Sequence, residues 1–198
     1  MKRIAIIGGS GAGKTTLARK IGRVLGLPVH HIDKFYWLRP WEKRSEPEFT
    51  AMTQAALAQE AWVFDGFPGK NRNTSAQTLD MMIFIDEPYF KRLWRVIARC
   101  AQHRKAPDED IAETCAGLLT VRYIRSWLFG WHFKAHWRCK TVLMSTPPNV
   151  TRVHLKGTRE VDAFLADLGA QAGQVREDAA DGRLDSRALH PRQAGEKP

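Results

Sequence analysis

The 198-residue sequence contains no run of 18 apolar residues and only three cysteines, and its middle is poor in acidic residues. The first absence excludes a membrane-spanning helix, which needs about 20 such residues. The opening "MKRIAIIGGS" is basic then apolar, but its apolar part is too short for a secretion signal and glycines follow at once. A cytoplasmic protein without a membrane partner is therefore expected. Cys100, Cys115 and Cys139 are widely spaced and odd in number, which fits neither a disulfide framework nor a metal-ligand cluster. At this length a compact fold buries roughly two thirds of its unfolded surface. No covalent or metal staple is required, and one domain is expected.

The net charge of +10 is unevenly spread. From Ala170 onward, five bases are cancelled by five acids, so the excess lies in residues 1–169. Between Lys91 and Lys140 there are eleven bases against four acids, a net +7. Positive charge gathered in this way implies an anionic partner, either nucleotide phosphates or nucleic acid.

Apolar patterning sets the order of elements. Arg3–Ile7 is a short β-branched run of the kind that forms a buried parallel strand. From Gly13 the spacing turns helical, and Gly26 and Pro28 stop it. Val29–Asp33 reads as a second strand. Ser45 with Glu48 forms a capping box for a helix through Glu60. Trp62–Asp65 and Met81–Ile85 are two more apolar strands, each followed or ended by an acid, and Pro88 opens a helix to about His103. A long helical region is expected over roughly Ile111–Met144, with "CKTVLM" as a possible strand. Arg152–Leu155 is a fifth strand, and "TREVDAFLADL" a closing helix. Strands alternating with helices predict an α/β fold with helices on both faces of a parallel sheet. The boundaries expected are one domain over 1–169, with lid and acceptor-side helices at about 91–145, and a tail over 170–198 too poor in large apolar residues to fold.

Within this frame, "GGSGAGKTT" (8–16) fits G-x-x-x-x-G-K-[ST] between a strand and a helix, which is the context this motif requires. Glycines let backbone N–H groups turn inward around a phosphate, and the helix N-terminus adds its positive end. Gly8, Gly9, Ser10, Gly11, Ala12, Gly13, Lys14, Thr15 and Thr16 form the expected nucleotide cradle, with ATP or GTP as ligand. Lys14 can reach the β and γ oxygens, and the Thr15 hydroxyl can ligate Mg²⁺.

Further segments carry a resemblance. "VFDGFPGK" (63–70) is similar to the strand-end motif of adenylate kinase and other nucleoside monophosphate kinases. "HHIDKFYWLRPW", "WVFDG", "IDEPYFKRLWRVIAR" and "KGTREVDAFL" resemble, in order and spacing, adenylate-kinase-related proteins known as DNA topology modulation proteins, over about residues 1–168. The resemblance implies a three-layer P-loop fold with a five-stranded parallel sheet in the order 2-3-1-4-5 and a helical lid between strands four and five. It implies that Asp65 holds Mg²⁺ beside the phosphate loop, with Asp86 as the rival carboxylate. It implies that Arg95 and Arg99, four apart on one helix face with Arg92 beside them, neutralise the transferring phosphoryl group of ATP. Where monophosphate kinases place an arginine for the acceptor's phosphate, this chain has Gly69 then Lys70. Lys70 or Arg72 would have to serve there, and lysine lacks the planar bidentate fork. The "KGTRE" loop (156–160) corresponds to a segment that packs on adenine.

P-loop kinases of small hydroxyl compounds place an aspartate where Asp33 stands, able to orient an acceptor O–H or take its proton. Phe35, Tyr36, Trp37 and Trp41 supply rings that either line an acceptor pocket, with Trp37 foremost, or pack in the core. His30 and His31 alternate faces and cannot jointly grip one metal, so both read as structural. "RYIRSWLFGWHFKAHWRCK" (122–140) interleaves bases with tryptophans and reads as a lid or as a nucleic-acid surface. The expected activity is ATP- and Mg²⁺-dependent phosphoryl transfer to a small acceptor. The alternative is a nucleotide-switched DNA-binding or regulatory ATPase.

Overall fold

The computed structural model describes residues 1–39, 42–66, 79–103 and 132–180. Five strands form one parallel sheet: β1 (Arg3–Gly8), β2 (Val29–His31), β5 (Trp62–Asp65), β6 (Met81–Asp86) and β7 (Thr151–Lys156), in the spatial order β2-β5-β1-β6-β7. Numbered among themselves these strands run 2-3-1-4-5, as the resemblance implied. β1 lies at the centre, with Ile4 opposite Val63 on one side and Met81 on the other.

The strands are apolar on both faces because both faces are covered. Ile4, Ile6, Val63, Met81, Ile83 and Ile85 point to one side and pack with Leu17 and Ile21 of helix α1 (Lys14–Leu25) and Leu168 of the closing helix. Ala5, Ile7, Trp62, Phe64, Met82 and Phe84 point to the other side and meet Ala56 and Leu143 from helices there. This period-2 division of continuous apolar runs produces the three layers. Ile6 is wholly buried at the heart of the first cluster. Ile6→Ala is expected to cost about 2–5 kcal/mol through lost burial and the cavity left behind, seen as a lower urea midpoint with an unchanged slope.

Helix α3 (Glu46–Leu57) starts at the expected capping box: the Glu48 amide donates to the Ser45 hydroxyl, and the Ser45 amide donates to the Glu48 carboxylate. It ends three residues short of Glu60. Helix α4 (Tyr89–His103) follows β6, helix α5 (His132–Met144) precedes β7, and helix α6 (Gly157–Ala180) closes the described chain.

Three further features differ from the sequence reading, and one alternative is decided. β2 stops at His31, and Asp33 belongs to a short helix, α2 (Ile32–Tyr36), instead of the strand end. A small antiparallel ribbon of β3 (Trp37–Arg39) and β4 (Glu42–Lys43) follows, too short to show in an apolar pattern. "CKTVLM" is helical, as the reading of a helical region through Met144 had it, and not the alternative strand: Leu143 of α5 packs in the second core. The closing helix runs eleven residues past Gly169, through a segment with four alanines and two glutamines, residues that favour helix without needing a core. Much of the expected lid (104–131) and the end of the tail (181–198) lie outside the described residues. No helix among the described residues is long and apolar enough to cross a membrane.

Candidate active site

All five parallel strands point their carboxyl ends to one edge, and the motif residues gather there. The loop Gly8–Gly13 turns from β1 into α1. Gly11 has φ +77, and a Cβ there would lie 2.5 Å from the Arg92 carbonyl oxygen. Gly13, the N-cap of α1, has φ +94. An L side chain at either position would be strained, and at Gly11 it would also collide. The Lys14 ammonium donates to the Gly9 carbonyl at 3.3 Å, lying back along the loop. Ser10 and Lys14 are half-buried, Ala12 is buried and Thr16 is exposed.

Thr15, the first hydroxyl of α1, donates to Asp65 Oδ2 at 2.6 Å. The same oxygen lies 2.9 Å from His31 Nδ1. An ionised carboxylate can only accept, so Nδ1 carries the proton in this contact. Burial pushes the Asp65 pKa up, but the hydrogen bonds from His31 and Thr15 and the Lys14 charge outweigh it, and the carboxyl lies below its ordinary range. The site thus keeps a carboxylate charged in a nearly closed position. Asp86, the rival, is engaged elsewhere: His136 Nδ1 stands 3.3 Å from one of its oxygens and His154 Nε2 3.1 Å from the other. Phe84 stacks on His154 behind them.

Asp33 faces Lys14 and Asp65 electrostatically. The residue keeps an exposed surface, yet protein crowds its carboxyl from most sides, as on the wall of a concavity open to water. Lost hydration raises its pKa, the Lys14 charge opposes the rise, and the Asp65 charge adds to it. The two carboxyls are therefore pushed in opposite directions, one below and one above the usual value.

The helix α4 arginines differ from one another. Arg92 is 5 % exposed, and its guanidinium packs flat on the loop: a Cβ on Gly9 would lie 1.7 Å from Nη1. Burial lowers its pKa, with Asp86 opposing. Arg95 Nη1 donates to the Gly11 carbonyl at 3.4 Å. Its Nη2 donates to the Thr158 hydroxyl at 3.1 Å and Glu87 Oε1 at 3.5 Å. Arg99, one turn further, is exposed. Arg92 and Arg95 thus touch the phosphate loop, with Arg99 one turn beyond them on the same helix. On the acceptor side, Phe35 packs edge-on against Phe64, and Tyr36 edge-on against Trp37. Phe35 therefore serves the core, while Trp37 stays half-buried at the ribbon. Lys70, Arg72 and Trp41 lie outside the described residues, as does most of the 122–140 stretch. From that stretch Trp137 is 66 % exposed, with Lys140 Nζ 5.7 Å from its ring centre.

Sequence reasoning missed His31, Arg92 as a loop contact, Glu87 and Thr158. His31 had a usable signal: it stands in register with Asp65 on the neighbouring strand, so the two side chains share a face. His30, one residue earlier, turns to Gln59 and the Phe64 ring, as the alternation required. Cys139 sits near the loop, accepting from the Gly8 amide, and burial pushes its thiol pKa up. That keeps it protonated and a poor nucleophile.

Thr15 and Asp65 present hard oxygen donors side by side next to an ammonium group. Mg²⁺ suits such a place, since it takes one or two protein oxygens and fills its octahedron with phosphates and water. Among the described residues there is no group of three or more His, Cys, Asp or Glu able to hold a metal, so a cage built only of protein groups is not what this site offers.

No protein-family profile matches the chain. A shikimate kinase of Pseudomonas fluorescens (strain Pf0-1) is 38 % identical over 73 residues, which are 33 % of this chain and 42 % of that protein. The chain thus matches less than half the length of this curated relative. Among solved structures, a gluconokinase from Sinorhizobium meliloti 1021 is 13 % identical, with a TM-score of 0.46 over 92 % of this chain and 98 % of that one. A shikimate kinase from Acinetobacter baumannii, in complex with shikimate, is 16 % identical, with a TM-score of 0.45 over 93 % and 96 %.

Proposed function

We propose that the protein is a P-loop kinase that transfers the γ-phosphoryl group of ATP to a small acceptor. The observation that carries this reading is the meeting of Lys14, the Thr15–Asp65 pair and Asp33 at one edge of the sheet. Loop amides and Lys14 grip the phosphates. Thr15 and Asp65 would hold Mg²⁺, which when bound neutralises charge on the β and γ oxygens. Arg92 and Arg95 keep positive charge at the loop, and Arg99 lies one turn away for the transferring group. Asp33 orients the acceptor O–H and takes its proton as the oxygen bonds to phosphorus and ADP leaves. Its raised pKa suits a group that must gain a proton during the reaction.

The acceptor class follows from what is missing. Gly69 and Lys70 replace the arginine expected for a nucleoside monophosphate, whereas an aspartate by the loop suits a hydroxyl compound. The short match to a shikimate kinase supports a small-metabolite acceptor of this kind. A screen of nucleoside monophosphates and small hydroxylated metabolites for ADP release is expected to yield an acceptor that stimulates turnover at least tenfold over the bare ATPase rate. The second reading, a nucleotide-switched DNA-binding protein, is supported by the net +7 of residues 91–140 and the exposed Trp94 and Trp137. If no acceptor stimulates turnover and DNA binding falls steeply with salt, that reading replaces the kinase.

A further inference from the structure

Glu87 sits between β6 and Pro88, with its side chain 1 % exposed. A buried carboxylate is costly unless cations compensate it. Two stand near Glu87: the buried Arg92, which feels its charge, and Arg95. What the charge contacts is specific: Oε1 accepts from the Thr158 hydroxyl at 2.8 Å and stands 3.5 Å from Arg95 Nη2. Oε2 is buried with no hydrogen-bond partner among the described residues. The carboxylate is therefore only partly compensated by hydrogen bonds, and these lie on Arg95 and Thr158.

Arg95 is the other half of the arrangement. Its fork spans three separate pieces of chain: the Gly11 carbonyl of the phosphate loop, Glu87 after the end of β6, and Thr158 in the first turn of α6. These contacts commit three of the five N–H donors of the guanidinium and leave the rest of the fork open, with the side chain 38 % exposed. An arginine on an exposed helix face would otherwise sample many rotamers, and ordering it on ligand binding costs on the order of 1–2 kcal/mol in entropy. Holding it beforehand removes that cost from the binding step.

We propose that Glu87 is a positioning residue. It holds the Arg95 guanidinium at the outer rim of the phosphate loop before nucleotide arrives, and Thr158 locks the pair to the first turn of α6. The inference rests on the nucleotide-binding part of the proposed function. In the ground state the gain appears as ATP affinity, because the arginine is already in place.

The test is a double-mutant cycle on the full-length protein, with ATP affinity measured by calorimetry and unfolding by heat. Glu87→Met keeps the side-chain volume and removes the charge. It is expected to weaken ATP binding about tenfold in a protein that still unfolds in one cooperative transition. In an Arg95→Ala background the same change is expected to have no further effect on affinity, since Glu87 acts only through Arg95. Thr158→Val should weaken binding in the same direction by a smaller factor. If Glu87→Met lowers affinity equally with and without Arg95, or leaves it unchanged, the proposal is overturned. Should Glu87→Met fail to fold, Glu87→Gln takes its place in the same cycle. A parent that binds no ATP removes the functional reading and this inference together, whereas a parent that binds ATP with an inert Glu87 removes the inference alone.

Discussion

Lys14→Ala is expected to abolish phosphoryl transfer, a loss on the order of a thousandfold or more, while the protein stays folded. The two halves of this outcome have separate causes. Lys14 is half-buried at the start of α1 and makes one side-chain hydrogen bond, 3.3 Å to the Gly9 carbonyl, which water can replace. Its truncation opens no cavity in either core cluster, so circular dichroism and the unfolding midpoint should match the parent closely. Catalysis is another matter. Phosphoryl transfer has little covalent chemistry for a protein to perform, and rate comes from aligning the groups and neutralising the charge on the oxygens. Removing one preorganised donor from such a site costs about 10²–10³ in rate elsewhere, and here the lost group is also a full charge whose field reaches the carboxylates Asp33 and Asp65. Steady-state ADP release in the presence of a stimulating acceptor measures it. A variant with parental activity would mean that the phosphates bind somewhere else.

Asp33→Asn is expected to pull activity and stability in opposite directions. Loss of a general base is worth roughly 10²–10⁴ in rate, so turnover with the acceptor should fall by about that much while ATP binding persists. Stability should move the other way. The Asp33 pKa is raised in the folded state, so ionised Asp33 is a destabilising charge. That cost begins as pH climbs past the unfolded value of 3.8, grows until the folded pKa is passed, and then stays constant. Asparagine carries no such charge. The variant should unfold at a higher temperature than the parent at pH 7, and the difference should vanish below about pH 3, where the parent carboxyl is protonated in both states. A parent and variant with equal midpoints at neutral pH, or with equal turnover, would remove Asp33 from the role assigned to it.

Much of this architecture could be read from short stretches of chain, and the reasons are local. Arg3–Gly8, Trp62–Asp65 and Met81–Asp86 are apolar on both faces, and only a sheet covered twice leaves strands in that state. The phosphate loop is legible because its glycines answer to backbone geometry, as φ +77 at Gly11 and +94 at Gly13 show. Strand order was not legible from spacing and came only with the family resemblance. Asp33 was placed on the wrong element: His31 and Asp33 look alike as a strand tail, and the turn into α2 carries no glycine or proline to announce it. Glu87 and Thr158 lie 71 residues apart, and no local pattern links a buried glutamate to a threonine at that distance. The choice of Arg92 over Arg99 at the loop likewise depends on how α4 is rolled against Gly9, a tertiary fact that i, i+4 spacing leaves open.

The central position of β1 has a consequence for how the chain reaches this state. Its two hydrogen-bonding neighbours begin 59 and 77 residues further along, at Trp62 opposite Arg3 and Met81 opposite Ile4. Pairings of such long range fold slowly, and at a synthesis rate of about 5–20 residues per second the ribosome delivers β1 several seconds ahead of either partner. During that interval Ile4, Ile6 and Ile7 form an unpaired apolar segment with two free edges, the kind of segment that sticks to other nascent chains. Overproduction at low temperature, which weakens apolar association, should therefore raise the yield of native protein.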